Sequence, residues 1–171
     1  MKNNLKSYAY SSKMMVNSHL EIKKKSVSLS FTLQGVLAEY SFEETKNRQR
    51  ANELWRTTCF ELFLANSENE DYYELNFSSS LAWNLYHLSS YRADVQEVQV
   101  LSEPTIRINK QENQFQICLE LELEELCLEQ FNLYNVASIL LTKENERTFW
   151  SVKHEKDVPD FHHRSNFLKI T

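Results

Sequence analysis

Apolar and polar residues alternate with period two along much of the chain. Val27, Leu29, Phe31 and Leu33 are interleaved with Ser28, Ser30 and Thr32, and Phe115, Ile117, Leu119, Leu121 and Leu123 with Gln116, Cys118, Glu120 and Glu122. Successive side chains of an extended chain point to opposite faces, so each segment predicts a strand with one dry face. Phe60, Leu62 and Leu64 repeat the pattern, as do Tyr73, Leu75 and Phe77, with a polar stretch over 66–71 between them. That arrangement predicts a hairpin with a long loop. Shorter runs predict strands over 36–42, 83–88, 105–108, 136–141 and 149–152. No segment predicts a long amphipathic helix; the best helical stretches, 45–53 and 124–131, are short and polar enough to be connections. Residues 1–15 show no pattern and are expected as a flexible lead-in, with 16–171 as a single domain. Many short strands at this spacing predict an all-β fold, an antiparallel β-sandwich of jelly-roll or immunoglobulin-like kind with few short helices.

Composition narrows the chemistry. The 171 residues, 42% hydrophobic and 25% charged, fit one folded domain. They include one glycine, Gly35, and two prolines. Phosphate-cradling loops need several glycines to bring backbone amides against phosphate, so most nucleotide-dependent enzymes are excluded. Asn, Ser and acidic residues must make the turns instead, as over 109–113 and 143–146. A net charge of -5 and a single basic run, Lys23 to Lys25, argue against a nucleic-acid partner. No stretch approaches the roughly 18 apolar residues of a membrane span, and the polar start from Lys2 to Lys13 lacks a signal-peptide core. The expectation is a cytoplasmic protein with no membrane partner. Cys59, Cys118 and Cys127 are odd in number and lack C-x-x-C spacing, so reduced thiols are expected rather than disulfides or a zinc site. No cofactor is signalled.

The non-core faces of the strands carry the candidate chemistry. Matching the apolar rows of the 60–64 and 73–77 segments puts Cys59, Glu61 and Phe63 on the same face as Glu74, Asn76 and Ser78. Trp150, Val152 and His154 alternate against Phe149, Ser151 and Lys153, and Asp160-Phe161-His162-His163-Arg164 follows. If these faces coincide, Trp, Glu, Asn, His and Arg share a surface, the chemistry of a sugar site: an indole stacks on the apolar face of a pyranose while carboxylates and amides bond its hydroxyls. The competing readings are structural. Trp55, Trp83 and Trp150 could be core aromatics, and Glu61 and Glu74 ion-pair partners of Arg92 or Arg164. Glu61 and Glu74 could approach the roughly 5 to 5.5 Å of a retaining glycosidase, but neighbours on one flat sheet do not flank a scissile bond. His154, His162 and His163 with Asp157 and Asp160 offer metal-ligand types without a metal-site spacing.

The stretch Leu54-Trp55-Arg56-Thr57-Thr58-Cys59-Phe60-Glu61-Leu62-Phe63-Leu64, followed by Tyr72-Tyr73-Glu74-Leu75-Asn76-Phe77-Ser78, resembles bacterial DOMON-like proteins, relatives of the family 9 carbohydrate-binding modules. Tyr91-Arg92, Phe149-Trp150 with His154, and Asp160-Phe161-His162-His163 follow in that family's order, and the resemblance runs from about Leu20 to Ile170. It implies a jelly-roll β-sandwich and a ligand-binding rather than catalytic role, with sugars or other small polar ligands as the ligand class. The ligand-binding residues it implies are Trp55, Glu61, Glu74, Asn76, Arg92, Trp150, His154 and His162. A free-standing chain of this kind points to an intracellular sugar or cell-wall precursor rather than a polysaccharide. Haem, the ligand of some distant relatives, is the weakest option, with His154, His162 or His163 as axial candidates and no Met partner. Where relatives show a Ser-Pro-Ser-Gly turn, this chain has Ser78-Ser79-Ser80-Leu81. An interaction or homodimerisation domain is the alternative function, and a metal-dependent hydrolase a further one.

Overall fold

Residues 1–8, 13–43 and 48–171 are described by the computed structural model, and among them the alternating segments form strands. In chain order these are β1 (Lys2–Ser7), β2 (Met14–Ile22), β3 (Ser26–Gly35), β4 (Gln49–Arg50), β5 (Cys59–Ala65), β6 (Tyr72–Ser78), β7 (Ala82–Leu88), β8 (Gln96–Glu97), β9 (Thr105–Gln111), β10 (Gln114–Glu122), β11 (Leu133–Leu141), β12 (Arg147–Ser151) and β13 (Leu168–Lys169). The chain is mostly β, as its alternation predicts. The strands make one curled sheet in the order β4-β7-β6-β5-β11-β12-β1-β2-β3-β10-β9, with β13 on β11 and β8 on β7. All pairings are antiparallel except β4 with β7.

The curl turns on β1. Its Lys2 to Leu5 pair with β2, while Lys6 and Ser7 pair with Ser151 and Trp150 of β12. The expected flexible lead-in is thus corrected over Lys2–Ser7: backbone ladders on both arms hold this strand, and of its side chains only Leu5 is buried. With one dry residue it has no alternation to read. Residues 9–12 of the lead-in lie outside the described residues. Strand β2 is also absent from the sequence expectation. Its dry row is Met14, Val16, Ser18 and Leu20, and the buried Ser18, held by Asn3 Nδ2 at 3.3 Å, interrupts the apolar pattern.

Other expectations are corrected locally. The predicted strand over 36–42 is instead a 3-10 turn at Leu37–Glu39 followed by an isolated bridge from Tyr40 to Thr142, which carries the chain off the end of β3. Phe42 then stacks on Phe115 with ring centroids 4.2 Å apart. The helical stretch over 45–53 begins in residues outside the described ones, and its remainder contains the parallel strand β4 rather than a helix. Arg50 fixes that strand by stacking 4.3 Å from the Trp83 ring and donating to Asn84 Oδ1 at 2.9 Å. Within 124–131 the helical part is the single 3-10 turn Leu128–Gln130.

The dry faces of the two arms pack on a common core. Phe31 of β3 meets Phe60 of β5 at 4.9 Å, and Phe60 stacks in parallel with Phe115 of β10 at 6.3 Å. Trp150 belongs to this core and is 3% exposed, which corrects its expected place on the wet face. Of the two adjacent aromatics on β12, Trp150 lies opposite Ser138 and Phe149 opposite Ile139. Ser138 in turn lies opposite Phe60, so the indole takes the core side where its neighbour on β11 is small. Its Nε1 donates to Thr148 Oγ1 at 3.0 Å.

The single glycine is where no other residue fits. Gly35 has φ 130, and a Cβ there would lie 2.2 Å from the Lys13 carbonyl oxygen. Replacing it strains the backbone and forces β2 and β3 apart at one end. We expect Gly35→Ala to lose about 1–3 kcal/mol or more of folding stability in urea denaturation. Trp150→Ala should lose about 3–5 kcal/mol, because it empties core volume; thermal melting will show a destabilised protein rather than an intact fold lacking a binding group.

Candidate functional site

The register of β5 with β6 pairs Phe60 with Phe77 and Leu62 with Leu75 on the core side. The opposite face then carries Glu61 across from Asn76 and Phe63 across from Glu74. β7 extends this face by placing Asn84 beside Asn76 and Tyr86 beside Glu74. On the other side β11 and β12 add Ala137, Ile139 and Phe149.

Part of this face is roofed by the segment following β12. Asn135 Nδ2 donates to the Phe161 carbonyl at 2.9 Å, and Asn166 Nδ2 to the Asp160 carbonyl at 2.6 Å. Phe161 packs in a second apolar cluster with Phe63, Ile139 and Phe167. The loop after β7 is clamped to the same segment. Tyr91 donates its hydroxyl to Asp160 Oδ2 at 2.8 Å, and Arg92 Nη2 lies 3.4 Å from Asp160 Oδ1. Burial raises the Asp160 carboxyl, but the Tyr91 hydroxyl and the Arg92 charge outweigh it and hold it below the usual range.

What stays uncovered is a cleft of about 490 Å³. Its floor is Glu61, Glu74 and Asn76; Arg92 and His162 close one side, and Trp55 and Arg147 stand on the other. Ile139, Phe149 and Phe161 supply apolar wall, and Tyr86 lies along the floor. The Trp55 indole, 40% exposed, is flanked by the guanidinium groups of Arg56 and Arg147 at 5.4 and 5.6 Å. Arg56 is tied to Glu53 at 2.8 Å.

Two carboxylates at the bottom of a cleft are costly. Glu61 is 3% exposed and Glu74 8%. Burial pushes the Glu61 carboxyl well above its usual range, Glu74 raises it further, and Arg92 offsets only part of this. Burial also raises Glu74, against the hydrogen bond that Asn76 Nδ2 donates to its Oε1 at 2.7 Å. Burial pushes His162 down to about 4, with the Arg92 charge acting in the same direction, so its ring is neutral near pH 7. The Tyr72 oxygen accepts the Arg92 backbone N–H at 3.2 Å and lies 2.7 Å from His162 Nδ1. In the tautomer whose Nδ1 accepts the Tyr72 hydroxyl, His162 Nε2 carries the ring hydrogen, 4.0 Å from Glu74 Oε2. Cys59, on the same face, has its thiol pushed well up by burial and by Glu61, which makes it a poor nucleophile.

Of the residues singled out in sequence, the structure brings Trp55, Glu61, Glu74, Asn76, Arg92 and His162 to one cleft. It does not bring Trp150, which is in the core, or His154, whose Nε2 donates to the Lys6 carbonyl at 2.9 Å and whose ring meets Tyr8 edge-on. The ion-pair alternative is also corrected: Arg92 pairs with Asp160, and Arg164 donates to the carbonyls of Asn69 and Asp71 at 2.9 and 2.8 Å. Adjacent His163 turns away and bonds Ser165. Among the described residues no group of three His, Cys, Asp or Glu could hold a metal ion. Sequence reasoning missed Tyr86, Arg147 and Phe149. Extending the β5–β6 parity to β7 finds Tyr86; for the other two the signal is the alternation of β12 read in the opposite phase.

No family model matches the chain, and no curated protein matches it. Among solved structures it is similar to a proposed carbohydrate-binding protein from Bacteroides uniformis, with a TM-score of 0.64 and 12% identity over 98% of this chain and 84% of that one. Family 9 carbohydrate-binding modules from Caldicellulosiruptor kristjanssonii, in complex with cellotriose or with glucose, also match. Both have a TM-score of 0.51 and cover 92% of this chain; the identities are 7% and 8%, over 74% and 76% of those chains. The fold is that of family 9 carbohydrate-binding modules. At such low identity the likeness to these modules lies in the backbone, and the cleft residues must be argued from their own chemistry.

The buried acid pair sets a pH dependence. The folded-state pKa of Glu61 and Glu74 lies above the unfolded value of 4.5. Their contribution to stability is therefore full below about pH 4.5 and is lost as pH rises through the folded values. Glu61→Gln removes one of the two ionisations. Its urea midpoint should exceed that of the parent protein near pH 8, and should vary less than the parent's between about pH 5 and 8.

Proposed function

We propose that this protein binds a small carbohydrate in the Glu61–Glu74 cleft without transforming it, the two arms of the sheet serving as the layers of a β-sandwich. The observation that carries this reading is the pairing of an acceptor-rich floor, Glu61, Glu74 and Asn76, with an exposed indole and apolar wall at Trp55 and Phe149. A pyranose has that division: equatorial hydroxyls around its edge and apolar C–H faces. The shared fold supports the reading, as do the glucose and cellotriose complexes of the family 9 modules and the motif resemblance to DOMON-like proteins.

The same geometry argues against glycoside hydrolysis. Glu61 and Glu74 lie diagonally on adjacent strands of one face, so this pair does not flank a scissile bond. In the proposed roles, Glu61 and Glu74 accept from hydroxyls, His162 Nε2 and Arg92 donate, and Trp55 offers the stacking face.

Calorimetry against sugars selected on a broad glycan array tests the reading. Trp55→Ala should weaken binding at least tenfold, about 1.4 kcal/mol, and change stability by less than about 0.5 kcal/mol because the indole is exposed. A parent protein that binds no glycan on the array would overturn it.

A further inference from the structure

The floor of the cleft is unusual in its balance of donors and acceptors. Among the described residues neither Glu61 nor Glu74 makes an ion pair with Lys or Arg; Arg92 is engaged by Asp160 at 3.4 Å, and Arg147 stands at the far rim beside Trp55. The nearest basic ring, His162, is neutral near pH 7 and offers one N–H. Asn76, 3% exposed, spends its amide nitrogen on Glu74, and its Oδ1 has no hydrogen-bond partner. Two carboxylates and an amide oxygen without a partner therefore lie on the floor of the cleft, with the His162 ring and the Asp160-paired Arg92 guanidinium beside them.

A neutral hydroxyl brings one donor and its own lone pairs, and so satisfies one of these acceptors at a time; a group with three donors, no acceptor and a positive charge satisfies all of them. An unpaired buried carboxylate is also strongly disfavoured, whereas a paired and hydrogen-bonded one is tolerated.

We propose that the group held on this floor is a primary ammonium, so that the preferred ligand is an amine-bearing sugar; the sugar as carrier rests on the binding function proposed above. The ammonium donates to Glu61, to Glu74 Oε2 and to Asn76 Oδ1. The titratable and charged groups around the pair are Cys59, Tyr86, Arg92 and His162; the Arg92 charge favours ionisation of both carboxyls, but its ion pair is with Asp160 and not with either of them.

Calorimetry with glucose, glucosamine, N-acetylglucosamine and cyclohexylamine at about pH 7 separates the outcomes. Glucosamine should bind at least tenfold more tightly than glucose, and acetylation, which removes the charge, should abolish the advantage. The preference should fall below about threefold in Glu61→Gln, and should disappear for the parent protein at a pH well above the amine's own pKa. Binding of glucose with no gain from the amine overturns this proposal and leaves sugar binding standing. Binding of cyclohexylamine by the parent protein but not by Glu61→Gln, with no sugar bound, keeps the ammonium site and removes the sugar. Binding of none of the four overturns both.

Discussion

The pairing of Phe60 with Phe77 and of Glu61 with Asn76 belongs to one ladder of backbone hydrogen bonds, and both the core and the cleft hang on it. Because side chains alternate strictly, a slip of one residue would drive Glu61 and Asn76 into the space now filled by Phe31, Phe60 and Phe115. The penalty for burying those groups without partners makes the register self-enforcing. The aromatic core thus does more than stabilise: it selects the one alignment in which two acids from strands 13 residues apart in sequence reach the same hollow.

A second constraint operates at longer range. Asp160 ties the Tyr91–Arg92 loop to the returning chain, and Asn135 and Asn166 tie that chain to the sheet. Asp160, Asn135 and Asn166 are buried, and two of these four bonds run to main-chain carbonyls. They place Arg92 and His162 against the floor while Arg92 forms its ion pair with Asp160, so its charge offsets only part of the burial of the two acids.

The hairpin and its wet face were legible because the signal is local: a period of two and a loop of fixed length decide which residues share a side. Phe149 and Trp150 show where that logic ends. Both are aromatic, both are adjacent, and nothing within β12 says which points inward; the small Ser138 on β11 decides. Strand β1 was illegible for another reason, since backbone pairing on two flanks holds it with one buried side chain. His154 and His162 look alike in sequence, and only the course of the chain between them separates a histidine bonded to Lys6 from one bonded to Tyr72.

With one glycine in the chain, left-handed backbone falls to other residues: among the described residues Glu53, Leu81, Arg92, Asp94 and Asn145 have φ between 48 and 63, and of these only Asp94 and Asn145 are of types that tolerate it well. Leu81 is one of them, at the turn where the resembling proteins carry glycine. Such conformations persist only where surrounding bonds over-determine them. Glu53 and Arg92 line the cleft and Asp94 adjoins Val95, which also lines it. The loops around the mouth are therefore fixed during folding, and their loss of freedom is not charged again when a ligand arrives. A ligand taken up in the proposed cleft would meet loops already in place, and the entropy change would be dominated by the ligand and its water.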